Sequence, residues 1–179
     1  AFARAIGIRA EGKGGPMRIK SSVDRYGAVA IAIHWIAAAL ILALLVSGFR
    51  AANLSDAATK AGVLRFHVAG GLLVLLLTLA RIAWWAFADT KPLPVAGASR
   101  LQNGLARVVH VLFYIVTLGM AASGIGMMVL SGAGAILFGD AGGMLPDFTK
   151  FPPRVPHGLG GRLMVALFVL HTAGALHHH

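Results

Sequence analysis

The chain has 179 residues, 58% hydrophobic and 12% charged, with a mean hydropathy of +0.78; a soluble domain is about 45–50% apolar and about a quarter charged, so an ordinary water-soluble fold is excluded. The net charge of +10 is scattered around apolar runs, which argues against nucleic acid as a partner and makes the positives a topology signal. The absence of cysteine excludes disulfides, iron–sulfur clusters and covalently attached c-type haem, so any cofactor must be held noncovalently by other side chains.

Residues 1–20 form a basic N-terminal tail. Its first sixteen residues lack the apolar core of a signal peptide and are expected to be irregular and upstream of a start at Met17, a basic interfacial helix being the alternative. Four apolar blocks follow, at about 28–49, 63–87, 105–130 and 157–179. Each is long enough for the roughly 20 helical residues that cross a bilayer, and none alternates as barrel strands do. The prediction is one all-α domain over residues 21–179, an integral membrane four-helix bundle. Arg4, Arg9, Lys13, Arg18, Lys20 and Arg25 precede the first span, and Arg81, Lys91, Arg100 and Arg107 flank the second connection. Arg50, Lys60, Arg65, Lys150 and Arg154 lie on the other side, with Arg162 just inside the fourth span. The positive-inside rule then places both termini in the cytoplasm. The long connection "SGAGAILFGDAGGMLPDFTKFPPRVP" is expected to dip "AILF" into the interface and cover what lies beneath. No internal repeat is evident.

Five histidines fall within the spans or at their mouths: His34, His67, His110, His157 and His171. Ionisable groups at membrane depth are rare and mark a cofactor, an ion path or a proton relay. At 1.5 Å per residue, His171 lies about 21 Å deeper than His157, near the level of His34, while His67 shares the outer level with His157. Fourteen residues turn a helix by roughly 1,400°, so His157 and His171 point within about 40° of each other. Two levels of paired imidazoles are what two b-type haems require. His67 with His157 would serve the outer one, and His34 with His171 the inner.

Positions three and four residues after each of these histidines share its face. They hold Ala37 and Ala38, Gly70 and Gly71, Gly160 and Gly161, Gly174 and Ala175. All are small enough to admit a flat macrocycle, although small residues also let helices approach closely in lipid. After His110 the same positions hold Phe113 and Tyr114, which argues against that histidine as a ligand. His110 is instead assigned to a haem propionate, a quinone carbonyl or proton transfer. Arg81, fourteen residues after His67, shares that face at the inner level and suits a propionate clamp; the competing reading is a cation snorkelling to the cytoplasm. Arg65 and Arg154 border the outer level and would give it a positive mouth. Trp35, Trp84 and Trp85 read as interfacial anchors.

These landmarks resemble the bacterial cytochrome b561 family, four-helix di-haem cytochromes that include superoxide oxidase. The matching stretches are "DRYGAVAIAIHW", "RFHVAGGLLVLLLTLARIAWW", "NGLARVVHVLFYIVT" and "PHGLGGRLMVALFVLHTAGALHHH", from about Ser21 to the end. The resemblance implies two noncovalent b haems held by His34, His67, His157 and His171 in a bacterial inner membrane, exchanging electrons with ubiquinone. Arg107 stands where family members often carry a histidine, and is grouped with Arg81, His110 and Arg65 as a propionate or quinone contact. His177, His178 and His179 fit a family pattern of adjacent histidines only in part, and the family's basic cytoplasmic tail does not follow them.

The expected function is transmembrane electron transfer from superoxide or a periplasmic redox protein to quinone. The alternative with the same haems is a cytochrome subunit linking quinone to a partner hydrogenase, dehydrogenase or soluble carrier. A different class, a metal or proton transporter with a histidine relay, predicts no tightly bound haem.

Overall fold

The structure, a computed structural model, describes residues 18–93 and 99–177, the side chain of His177 excepted. Residues 1–17 of the expected tail, together with His178 and His179, lie outside the described residues. The helices are α1 (Ala28–Asn53), α2 (Ala57–Ala83), α3 (Arg100–Ser131), the short α4 (Ala133–Phe138) and α5 (Arg154–His177). A π-helical turn, Trp84–Ala88, extends α2. Among the described residues there is no strand. The four long helices are all apolar enough to cross a membrane. Their outward faces carry exposed Trp35, Val46, Leu76, Ile115 and Val169, a surface that needs lipid rather than water around it.

Helices α2 and α3 begin five or six residues before their apolar blocks because polar caps satisfy their first amides. Asp56 accepts from the Thr59 amide at 2.6 Å. Ser99 and Gln102 form a reciprocal capping box, with bonds of 2.8 and 3.2 Å. Gly132 ends α3 in the left-handed region at φ 68°, which lets the chain reverse directly into α4. Ala133 and Leu137 of α4 are buried against α2 and α3, and the Leu137 carbonyl accepts from Arg65 Nε at 2.7 Å. The "AILF" segment thus covers one end of the bundle.

At the opposite end, residues 18–27 strap the start of α1 to the end of α2. Asp89 accepts from the Ser21 amide at 3.0 and 3.1 Å, from Ser21 Oγ at 2.7 Å and from Trp84 Nε1 at 3.0 Å. The Leu93 amide bonds the Val23 carbonyl at 3.0 Å, and a Cβ on Gly27 would run into the backbone of Ile19, Lys20 and Ser21. Partial desolvation pushes the Asp89 carboxyl up, but the bonds from Ser21, Trp84 and the Thr90 amide outweigh it and hold it below its ordinary value. A depressed carboxylate stabilises the docked strap fully above its unfolded pKa of about 3.9, and that contribution is lost as pH falls through the folded value. Hydrogen exchange at about pH 6 should therefore show a protected Ser21 amide in the parent chain and weak protection in Asp89→Asn, with the parent's protection lost only as pH falls through the lowered folded value. Parent-like protection in Asp89→Asn would contradict this assignment.

α1 packs chiefly on α2, and α3 on α5, giving two helix pairs joined mainly between α2 and α3. Val116, Met164 and Leu167 form the buried centre, with Ile41, Leu45, Leu112, Phe113 and Met120 against them. No large side chain in the described bundle is fully buried. This apolar cluster sits midway along the bundle, and the histidines lie above and below it.

Candidate functional site

The helix pairing gathers the five histidines at two levels. At the upper level, covered by α4, the rings of His67 on α2 and His157 on α5 have centroids 6.0 Å apart with planes at 72°. At the lower level, His34 on α1 and His171 on α5 have centroids 6.3 Å apart with planes at 68°. A ligating imidazole nitrogen lies about 2.0–2.1 Å from its metal and about 1.1 Å from its own ring centre, so two rings on opposite sides of one metal have centres roughly 6.3 Å apart. Both pairs have the spacing of a shared iron. His110 stands at 5.4 Å from His171 and Phe113 at 5.5 Å, nearer than two rings on opposite sides of one metal would be. Among the described residues no group of three or more His, Cys, Asp or Glu converges on one point, so a protein-only metal cage is not formed.

Hydrogen bonds fix the upper rings. Ser47, buried on α1, donates to the Leu44 carbonyl at 3.1 Å, and its Oγ lies 3.0 Å from His67 Nδ1. Ser123 on α3 does the same for His157: it donates to the Met120 carbonyl at 3.0 Å and lies 3.1 Å from Nδ1. The Met120 carbonyl is itself 3.1 Å from His157 Nδ1. A carbonyl only accepts, so Nδ1 must carry the proton and the Nε2 lone pair is left free. Gly48 and Gly124 follow these serines, and a Cβ there would stand 2.9 Å from His67 Cε1 and 3.3 Å from His157 Cε1. The sequence reading missed this arrangement. The matched signal was a Ser-Gly dipeptide in the first and third spans opposite an H-x-x-G-G stretch in the second and fourth, an internal correspondence that periodicity alone had not revealed.

The lower level is set differently. Arg81 Nη1 lies 3.1 Å from His34 Nδ1, and Arg81 Nε is buried with no hydrogen-bond partner among the described residues. A guanidinium only donates, so in this arrangement His34 Nδ1 accepts and the proton lies on Nε2. Metal at Nε2 demands the other tautomer, which would free Arg81 to turn to an anion. A haem propionate matches that orphaned donor set.

The remaining predicted residues divide. Arg107 is exposed on α3, one turn before His110, which is also exposed. Arg65 spends Nε on α4 rather than facing the histidines, while the Arg154 guanidinium folds back over Gly158 beside His157. Nothing would meet a Cβ within 4 Å at Gly71 or Gly174, and at Gly161 only Met120 Cε would, at 3.9 Å; these have space on the ligand face. Gly70 and Gly160 instead admit a neighbouring helix: a Cβ would meet Leu44 Cδ2 at 2.9 Å and Met120 Cγ at 2.7 Å. Ala37 and Ala38 are half-buried, and Ala175 is exposed.

A family model described as prokaryotic cytochrome b561 matches residues 25–179. Neither the curated proteins nor the solved structures yield a match. With the match running through all four long helices and both histidine levels, this chain belongs to the prokaryotic cytochrome b561 family, multi-pass membrane proteins that use haem b for electron transfer.

Proposed function

We propose that the protein carries two b haems, one at each level, and passes electrons across a bacterial inner membrane to ubiquinone. The observation that carries this reading is the pair of histidine–histidine spacings, 6.0 and 6.3 Å, at the two ends of an apolar core. His67 and His157 would hold the upper group, His34 and His171 the lower, and Arg81 would bind a propionate of the lower. Each bound haem supplies a one-electron ferric–ferrous couple. With both termini cytoplasmic, the upper level faces the periplasm.

The donor best suited to that face is superoxide. The connections at the upper end hold Arg50, Lys60, Arg65, Lys150 and Arg154 against Asp56, Asp140 and Asp147, a positive balance that attracts small anions. Superoxide gives up one electron and leaves as dioxygen, with no proton transfer to the protein. Two such electrons and two protons convert ubiquinone to the quinol at the cytoplasmic side. His110, beside His171, is placed to contact a propionate or quinone carbonyl or to relay those protons, and not to ligate. Replacement by Phe should leave two haems per chain by quantitation; loss of one would show that His110 is a ligand.

The experiment is to purify the chain in mild detergent, record reduced-minus-oxidised spectra with haem quantitation, and then reconstitute it with ubiquinone. Two low-spin b haems per chain, and one quinol formed per two enzymatically generated superoxides, are expected. Haem without superoxide-driven reduction would favour the subunit reading, in which a copurifying dehydrogenase, hydrogenase or soluble carrier supplies the electrons. No haem in a folded, haem-supplied preparation would overturn the proposal and return the histidines to the relay reading.

A further inference from the structure

We infer that Ser47 and Ser123 are positioning residues that set the tautomer and basicity of the two upper ligands, so that the upper haem is bound more firmly and poised at a lower potential than those imidazoles alone would give. The inference rests on the di-haem reading above. It starts from a symmetry of contacts: each helix pair places one serine hydroxyl against Nδ1 of one upper histidine, at 3.0 Å for Ser47 and 3.1 Å for Ser123. Each hydroxyl has one proton, and in both cases it points at the carbonyl three residues back on its own helix, Leu44 or Met120. The oxygen is thereby left as an acceptor for the ring N–H.

This is an outer-sphere arrangement built before any metal arrives. A ring whose Nδ1–H is held keeps Nε2 unprotonated and aimed, and donation from Nδ1 makes Nε2 a stronger donor to iron. A stronger donor favours the ferric state, which lowers the potential. The glycines after the serines belong to the same device, because a side chain at Gly48 would displace the His67 ring from its acceptor. The lower level has no counterpart: His34 Nδ1 faces a cation, the reverse of what ligation needs.

Each ring also has a carbonyl of the serine's own helix beside it, Met120 at 3.1 Å for His157 and Leu44 for His67. Removing either serine leaves one backbone acceptor, so Ser47→Ala and Ser123→Ala should act alike.

The test compares holoprotein of the parent chain with Ser47→Ala, Ser123→Ala and Ser47→Thr. Two measurements are made on each: the midpoint potentials of the two haems by spectroelectrochemical titration, and the rate at which each haem is lost to apomyoglobin. Ser47→Ala should raise the potential of one haem only and speed its loss by about tenfold, in line with the 10–100-fold that such partners contribute to metal affinity. Ser123→Ala should act on the same haem in the same direction and to a similar extent, and Ser47→Thr, which keeps the hydroxyl, should restore the parent values. Unchanged potentials and loss rates in both alanine variants would overturn the inference while leaving the di-haem reading intact. Equal shifts in both haems would also overturn it, since they would mark general loosening of the bundle. A parent chain that binds no haem strikes the underlying reading instead.

Discussion

A chain carrying His67→Ala should hold one haem where the parent holds two. Among the described residues, His67 and His157 are the two histidines of the upper level, 6.0 Å apart. The next histidine on α3, His110, lies thirteen residues before Ser123, which touches His157, so it is about 20 Å away along the helix. No further histidine stands at that level among the described residues, and loss of one of the two proposed ligands would remove half of the iron's attachment to protein. His157→Ala should give the same single-haem product. The double variant should be no worse than either single one, because both remove the same group and their effects do not add. Haem quantitation against protein, with helical content checked by circular dichroism, decides it. Two haems retained in either variant, or both haems lost from a chain that keeps its helicity, would show the ligands to be paired wrongly.

The second large effect is expected at Arg81. Its Nε is buried without a partner and its Nη1 is against His34 Nδ1, a contact that ligation of His34 through Nε2 would break. A part-buried guanidinium that loses its acceptor is costly, and a haem propionate would supply a new one. Charge-assisted hydrogen bonds are worth about 1.5–3 kcal/mol, so Arg81→Leu should speed release of the lower haem by roughly 10–100-fold. Arg81→Lys keeps the charge but not the planar fork, and should fall between. Apomyoglobin capture resolves the two haems by rate, and the upper one should be untouched. Parent-like retention of both haems in Arg81→Leu would leave Arg81 as a topology cation only.

The histidine arrangement was legible because helical spacing is a property of one segment. Fourteen residues separate His157 from His171, and His67 from Arg81, and each pair stays on one face whatever the helix meets. The helix starts could have been read as well: Asp56 and the Ser99–Gln102 box are local signals, and weighting apolar runs above caps put α2 and α3 too late. What could not be read is which spans are neighbours. Ser47 looks like one more small residue until α1 is laid against α2, and Ser123 until α3 is laid against α5. Gly70 and Gly160 were assigned to cofactor space on the same one-segment logic, yet their Cβ positions are closed by Leu44 and Met120. Only the partner helix distinguishes a gap from a contact.

The cluster of Ile41, Leu45, Val116, Met164 and Leu167 between the two levels has an electrical meaning beyond its packing. It is an apolar septum: apart from the Met164 thioether its side chains offer neither a proton acceptor nor a ligand for an ion, while an electron needs neither. Transfer through it would move negative charge alone, separated from the protons taken up on the far side, and each crossing would do work of about 2.3 kcal/mol per 100 mV against or with the membrane potential. A bundle sealed in this way would let electron flow charge or discharge the membrane instead of leaking through it.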